Sequence, residues 1–74
     1  MTIEEAYQQY GYLVYEASEG DSLLWVCRQL YGSDASYYRR VLRVLNPGVN
    51  WLCLSVGQRI EYLSSDVVSA NELF

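Results

Sequence analysis

These 74 residues contain no histidine, no lysine, a single proline and two cysteines. Without histidine the chain cannot assemble a Cys–His or Ser–His nucleophile pair. Two cysteines fall short of the four ligands that a structural zinc site takes, so neither a metal nor another cofactor is expected. Apolar runs are short as well: the longest, Leu23 to Cys27, has five residues, against the roughly 18 that a membrane span requires. No membrane partner is therefore expected. The opening Met-Thr-Ile-Glu-Glu is acidic where a secretory signal is basic and then apolar. This sets the expectation of a protein made and kept in the cytoplasm. In that compartment Cys27 and Cys53 are expected as free thiols rather than a bridge, packed as small hydrophobes.

The charge that is present points the same way. Net charge is −4, which disfavours nucleic acid or an anionic membrane as partner. All five basic residues are arginines, set among eight tyrosines, two tryptophans and one phenylalanine. Protein–protein interface cores favour arginine and aromatics over lysine, because a guanidinium desolvates more readily than a hydrated ammonium. A lysine-poor genome produces the same bias without an interface. A chain of this length forms one small domain that buries only about 60% of its unfolded surface.

Along the chain, Thr2-Ile3-Glu4-Glu5 has the pattern of a capping box, and Ile3, Ala6, Tyr7 and Tyr10 follow a helical stripe that Gly11 ends. From 12 to 18, β-favouring residues alternate, with Leu13, Tyr15 and Ala17 on one face and Tyr12, Val14 and Glu16 on the other. Glu19-Gly20-Asp21-Ser22 reads as a turn opening a helix over about 22–31, capped by Asp21 or Ser22 and stopped by Gly32. Leu23, Val26, Cys27 and Leu30 form its buried stripe. A second helix is expected over about 36–45, with Tyr38, Val41, Leu42 and Leu45 inward and Arg39, Arg40 and Arg43 as a basic face. Pro47 ends it. Residues 49–57 read as a loop with an apolar middle, 58–63 as a second strand, and 64–74 as a segment without a strong period.

Taken in order, Tyr15-x-Ala17-x-x-Gly20-Asp21-Ser22-Leu23, Val26-Cys27, Tyr31-Gly32, Leu42, Asn46-Pro47 and Gly57-Gln58-x-Ile60 resemble the LysM family. The family reads Tyr-x-Val-x-x-Gly-Asp-Thr-Leu, Ile-Ala, Tyr-Gly, Ile-x-x-x-Asn-Pro and Pro-Gly-Gln-x-Leu in the same register. The match spans residues 13–63. It implies an α+β fold of βααβ type, a two-stranded antiparallel sheet carrying two helices on one side. Residues 12–63 would form that domain, with 1–11 an N-terminal arm and 64–74 a C-terminal segment.

Two functions follow from the resemblance. Secreted LysM modules bind N-acetylglucosamine glycans in a groove between the strand 1–helix 1 and helix 2–strand 2 loops, which here would be lined by Gly20, Asp21, Ser22, Leu23, Asn46, Pro47 and Gly48. Short single-LysM proteins, the tail protein X group, instead serve as baseplate or hub parts of contractile tails and related injection machines. This chain is similar to that second group in length and in its Asn-Pro-Gly. The expectation is a structural virion protein of the tail or baseplate that joins tube, spike or wedge proteins. Peptidoglycan binding is the alternative.

Each candidate also has a plainer reading. Gly20-Asp21-Ser22-Leu23 is a turn and cap whatever the ligand, and the arginine face is also a solvated one. The carboxylates Glu16 and Glu19 have no cleft in which to do glycosidase chemistry, so no enzyme activity is expected. Partner contacts are expected from Trp25 and Trp51, from Arg39, Arg40 and Arg43, and from Ile3, Tyr7, Tyr10, Leu73 and Phe74. The last five lie outside the LysM pattern and have no evident partner within the chain. By that logic a chain without 64–74 keeps its fold.

Overall fold

A computed structural model of the protein describes residues 1–73. Along the chain come α1 (Ile3–Tyr10), β1 (Leu13–Glu16), α2 (Leu23–Tyr31), α3 (Ser36–Leu45), β2 (Arg59–Tyr62) and α4 (Ser65–Ala70). The middle four make the β-α-α-β arrangement, and β1 and β2 form a two-stranded antiparallel sheet. The fold class is α+β, as the residue pattern predicts. The expected helix over 36–45 is observed at those bounds, whereas both strands are shorter than expected by one or two residues at each end.

Local chemistry accounts for the boundaries. Ser22 is the N-cap of α2 and accepts a hydrogen bond from the Trp25 N–H at 3.3 Å. Asp21 is engaged elsewhere: its Oδ2 accepts from the Ser18 N–H at 2.8 Å and from the Tyr15 hydroxyl at 2.7 Å. That pins the turn between β1 and α2. Gly32 closes α2 in the left-handed region at φ 69°, where a side chain would be strained.

Both helices present their apolar stripes to one core. Val26, Cys27, Val41, Leu42 and Ile60 are fully buried, and Leu30 and Leu45 pack against them partly exposed. A stack of rings lies beside them. Tyr31 lies 4.2 Å from Tyr38 with planes 9° apart, and it meets the edge of Tyr62 at 6.3 Å. The Tyr31 hydroxyl donates to the Leu63 carbonyl at 2.8 Å, so α2 is tied to the strand end by a polar bond as well as by packing.

Asn46, just past α3, is the one polar residue among the buried side chains described. Its Nδ2 donates to the carbonyls of Leu42 and Glu61, and its Oδ1 accepts from the Glu61 N–H, all at 2.8 Å. The side-chain amide thus pairs with the outer edge of β2 as a neighbouring strand would, and it fastens the end of α3 to the sheet.

The two ends of the chain depart from expectation. Residues 1–11 and 64–73 are not free segments flanking a domain. Ile3, Ala6, Val68 and Leu73 belong to the same buried cluster as Leu42 and Ile60. The reason is geometric: a two-stranded sheet with two helices leaves apolar surface uncovered, and such a sheet is marginal alone. Helix α1 forms with the anticipated capping box, the Thr2 N–H to Glu5 Oε1 at 2.8 Å and the Glu5 N–H to Thr2 Oγ1 at 3.1 Å. It inserts Ile3 and Ala6, and Tyr7 stacks on Tyr12 at 4.9 Å while its hydroxyl donates to Glu61 at 3.2 Å. Helix α4, where no regular element was expected, is capped by Ser64, carries Asp66 in its first turn and buries Val68. Leu73 is then drawn in, its N–H donating to the Val68 carbonyl at 3.0 Å. Ile3, Tyr7 and Leu73 therefore have partners inside the chain and are withdrawn as partner contacts. Phe74 lies outside the described residues.

Removing the Asn46 side chain deletes three hydrogen bonds and leaves the Glu61 N–H and carbonyl without their partner. Asn46→Ala should cost about 2–4 kcal/mol. Leu73→Ala should cost about 2–5 kcal/mol, because it opens a cavity under α4. In urea titrations followed by circular dichroism, both should lower the unfolding midpoint at unchanged slope. A midpoint unmoved by Leu73→Ala would mean that the C-terminal segment is not part of the core.

Candidate functional site

A groove lined by apolar and basic groups runs between the start of α2, α3 and the 49–54 loop. It encloses about 320 Å³ and is lined by Ser22, Leu23 and Leu24 from the start of α2, Arg39 and Arg43 from α3, and Trp51 and Leu52 from the loop. Arg39 and Arg43 are four residues apart and so share one face of α3. Leu52 is 98% exposed and Leu24 42%. A leucine almost wholly in water at a loop tip contributes nothing to the core and has its whole side chain available for a partner.

The electrostatics of the groove are one-sided. The one ion pair among the described residues is Arg28–Asp34, with the Arg28 Nε at 2.9 Å, and it lies at the far end of α2. Neither Arg39 nor Arg43 has a carboxylate within ion-pair distance among the described residues. The Arg39 Nε is buried and has no hydrogen-bond partner there either. Burial pushes the Cys27 thiol up to about 11. The nearby Arg39 charge opposes that rise, Asp34 adds to it, and Arg43 opposes it more weakly.

The residues singled out from sequence divide into several places. Of the glycan-groove set, Ser22 and Leu23 line the groove. Gly20 makes its turn at φ 83°, Asp21 is held by Tyr15 and Ser18, and Asn46 is buried under β2. Pro47 and Gly48 are exposed in the turn after α3, outside the groove lining. The expected basic face splits. Arg39 and Arg43 line the groove, whereas Arg40 lines a separate cavity with Ile3, Glu4, Val44 and Leu73. The three positions span about 100° of the helix, one face by spacing, and it is the packing of α1 and the C-terminal segment beside Arg40 that divides them.

Trp51 lines the groove, while Trp25, 48% exposed, projects from α2 outside its lining. Tyr10 is exposed too, its hydroxyl reaching Asn71 at 3.4 Å. Leu24 and Leu52 also line the groove and are not among the residues expected from sequence. The signal for Leu52 was present, an apolar stretch placed in a loop; Leu24 was hidden among the core positions of its helix. No group of three or more Cys, Asp or Glu among the described residues is placed to hold a metal ion. No helix among them is long and apolar enough to cross a membrane. No protein-family model matches the chain, and no curated protein and no solved structure is similar enough to match it.

Cys27, under the groove, makes stability pH-dependent. The unfolded thiol ionises near its ordinary value of 9.0 and the folded one near 11. Below both values each state carries the proton and the thiol contributes no pH dependence. Between them the unfolded chain loses a proton that the folded chain keeps, so stability falls as pH rises. Burial raises the Tyr31 phenol as well and acts in the same direction. Urea midpoints should fall between about pH 9 and 11, and more shallowly for Cys27→Ala than for the native chain. Equal slopes would remove Cys27 from the account.

Proposed function

We propose that the chain is a non-catalytic assembly module, a LysM-like structural component of a contractile tail or related injection apparatus. It joins neighbouring tail or baseplate proteins through the groove between α2, α3 and the 49–54 loop. The observation that carries this reading is the exposed Leu52 in one groove with two guanidinium groups that have no ionic partner among the described residues. Apolar side chains at the centre and arginines that can desolvate are the composition of protein-docking surfaces. The sequence pattern over 13–63 supplies the LysM part of the reading, and the contractile-tail part rests on the resemblance to single short LysM proteins. On this reading the protein is found in the virion, at the tail or baseplate.

A peptidoglycan-binding module is the second reading, favoured by one observation: Ser22 and Leu23, which the resemblance assigns to the glycan groove, line this one. Against it, Asp21 Oδ2 and both polar atoms of the Asn46 side chain are engaged within the fold, and the Ser22 hydroxyl serves as a helix cap.

Leu52→Asp and Arg43→Glu change exposed side chains and should leave folding intact. On the assembly reading each reduces incorporation into tail particles at least about tenfold, the loss of one anchoring contact of about 1.4 kcal/mol. Insoluble peptidoglycan should retain neither the native chain nor the variants. Retention of the native chain, with release on Leu23→Ala, supports the glycan reading instead. Normal incorporation of both variants removes the groove as the docking site.

A further inference from the structure

The two edges of the sheet are finished differently. In the register Leu13↔Tyr62, Val14↔Glu61, Tyr15↔Ile60 and Glu16↔Arg59, alternate pairs exchange hydrogen bonds. The Ala17 N–H donates to the Gln58 carbonyl at 2.9 Å, continuing that register by one bonded pair. Tyr15–Ile60 and Leu13–Tyr62 are then the bonded pairs, and Val14, Glu16, Arg59 and Glu61 turn their peptide groups outward. On the β2 side both Glu61 groups are taken by Asn46. On the β1 side the outward N–H and C=O of Val14 and Glu16 have no hydrogen-bond partner among the described residues.

The open edge is apolar at Leu13 and Val14 and charged only at Glu16. Leu13 is 49% exposed and Val14 39%, and the strand carries neither the proline nor the lysine that commonly blocks an edge. We propose that β1 pairs antiparallel with β1 of a second copy of this chain, centred on Val14. The two sheets then become one four-stranded sheet across a two-fold axis.

A two-fold axis through Leu13 or Tyr15, which are not outward-bonding positions, closes only about four bonds before it meets helical Tyr10 or the engaged Ser18 N–H. The axis therefore falls on an outward residue. Centring on Glu16 sets two carboxylates opposite each other, a destabilising like-charge pair. Centring on Tyr12 runs the strand into Tyr10, which is helical. Centring on Val14 matches outward groups with outward groups, Val14 to Val14 and Glu16 to Tyr12 of the second copy, closing about six backbone hydrogen bonds. The same register lays Leu13 against Tyr15 of the second copy, covering a leucine that the single chain leaves half in water. Such an edge is small beside the roughly 800 Å² per partner of a stable complex, so the association is weak and reversible. It uses neither the groove nor the identity of its occupant and stands independently of them.

Sedimentation of the full chain across about 10 µM to 1 mM, the range suited to small interfaces, reads the association directly. The native chain should pass reversibly from monomer to dimer. Val14→Pro removes a donor that faces outward and no β1–β2 bond; Val14→Lys keeps the donor and sets two ammonium groups against each other. Each should weaken dimerisation at least about tenfold, or about 1.4 kcal/mol, with circular dichroism unchanged. If the proline variant misfolds, the lysine variant decides.

With Cys53→Ser as background, Val14→Cys should cross-link two copies on mild oxidation, since a bonded pair sits about 5.5 Å apart at Cα, within disulfide reach. Glu16→Cys should not, because its counterpart lies four residues further along the seam. A native chain that stays monomeric throughout, a Val14→Lys variant that dimerises normally, or equal cross-linking at both positions would overturn the proposal.

Discussion

The Asn46 side chain is the constraint on which the rest of the arrangement depends. Three hydrogen bonds of 2.8 Å join the end of α3 to the outer edge of β2, and they do so inside the core. A sheet of two strands has two edges and almost no interior, so about half of its peptide groups face outward and need partners from elsewhere. Asn46 supplies them at Glu61 of β2 without a third strand. The same bonds set the position of α3 against the sheet, and through α3 the positions of α2 and α1, both of which pack on it. Pro47 follows immediately and stops the helix at the residue whose side chain must turn back.

Given that frame, the chain solves its shortage of core by using its ends. Ile3 and Ala6 from α1, and Val68 and Leu73 around α4, close the apolar surface that four elements leave open. The Tyr10–Asn71 contact ties the two flanking helices to each other, and the Tyr7–Glu61 bond ties α1 to the sheet. Ile3, Tyr7 and Leu73, which looked available at the termini, are used in folding, whereas Tyr10 stays exposed. Exposed apolar side chains also lie on the groove at Leu24 and Leu52, at Trp25 and Val56, and along β1 at Leu13 and Val14.

The groove and the open strand are different kinds of surface. The groove offers side chains, two guanidinium forks and an apolar wall, and discriminates by charge and shape. The β1 edge offers backbone and discriminates by register. They lie on different elements, so occupation of one leaves the other free.

The sequence by itself determined the elements whose causes are local. Ser22 and Gly32 delimit α2, Thr2 with Glu5 starts α1, Pro47 ends α3, and the stripes of α2 and α3 repeat every three or four residues. Each of these is decided within one or two turns of chain, and each is observed. Ser64 followed by Asp66 and Val67 carried a helix-start signal of the same local kind. It was too short to register without the core that Val68 enters. Tertiary structure alone decided which apolar residues are spent inside. Ile3 and Leu73 are buried because residues distant in sequence leave a gap there, and no local pattern encodes a gap. It also separated Arg40 from Arg39 and Arg43, since the packing of α1 and the C-terminal segment occupies one side of α3 and leaves the other to the groove. Asn46 combines both cases: its place after the helix is written in the Asn-Pro pair, but its hold on Glu61 exists only once β2, fifteen residues further on, has come to lie beside it.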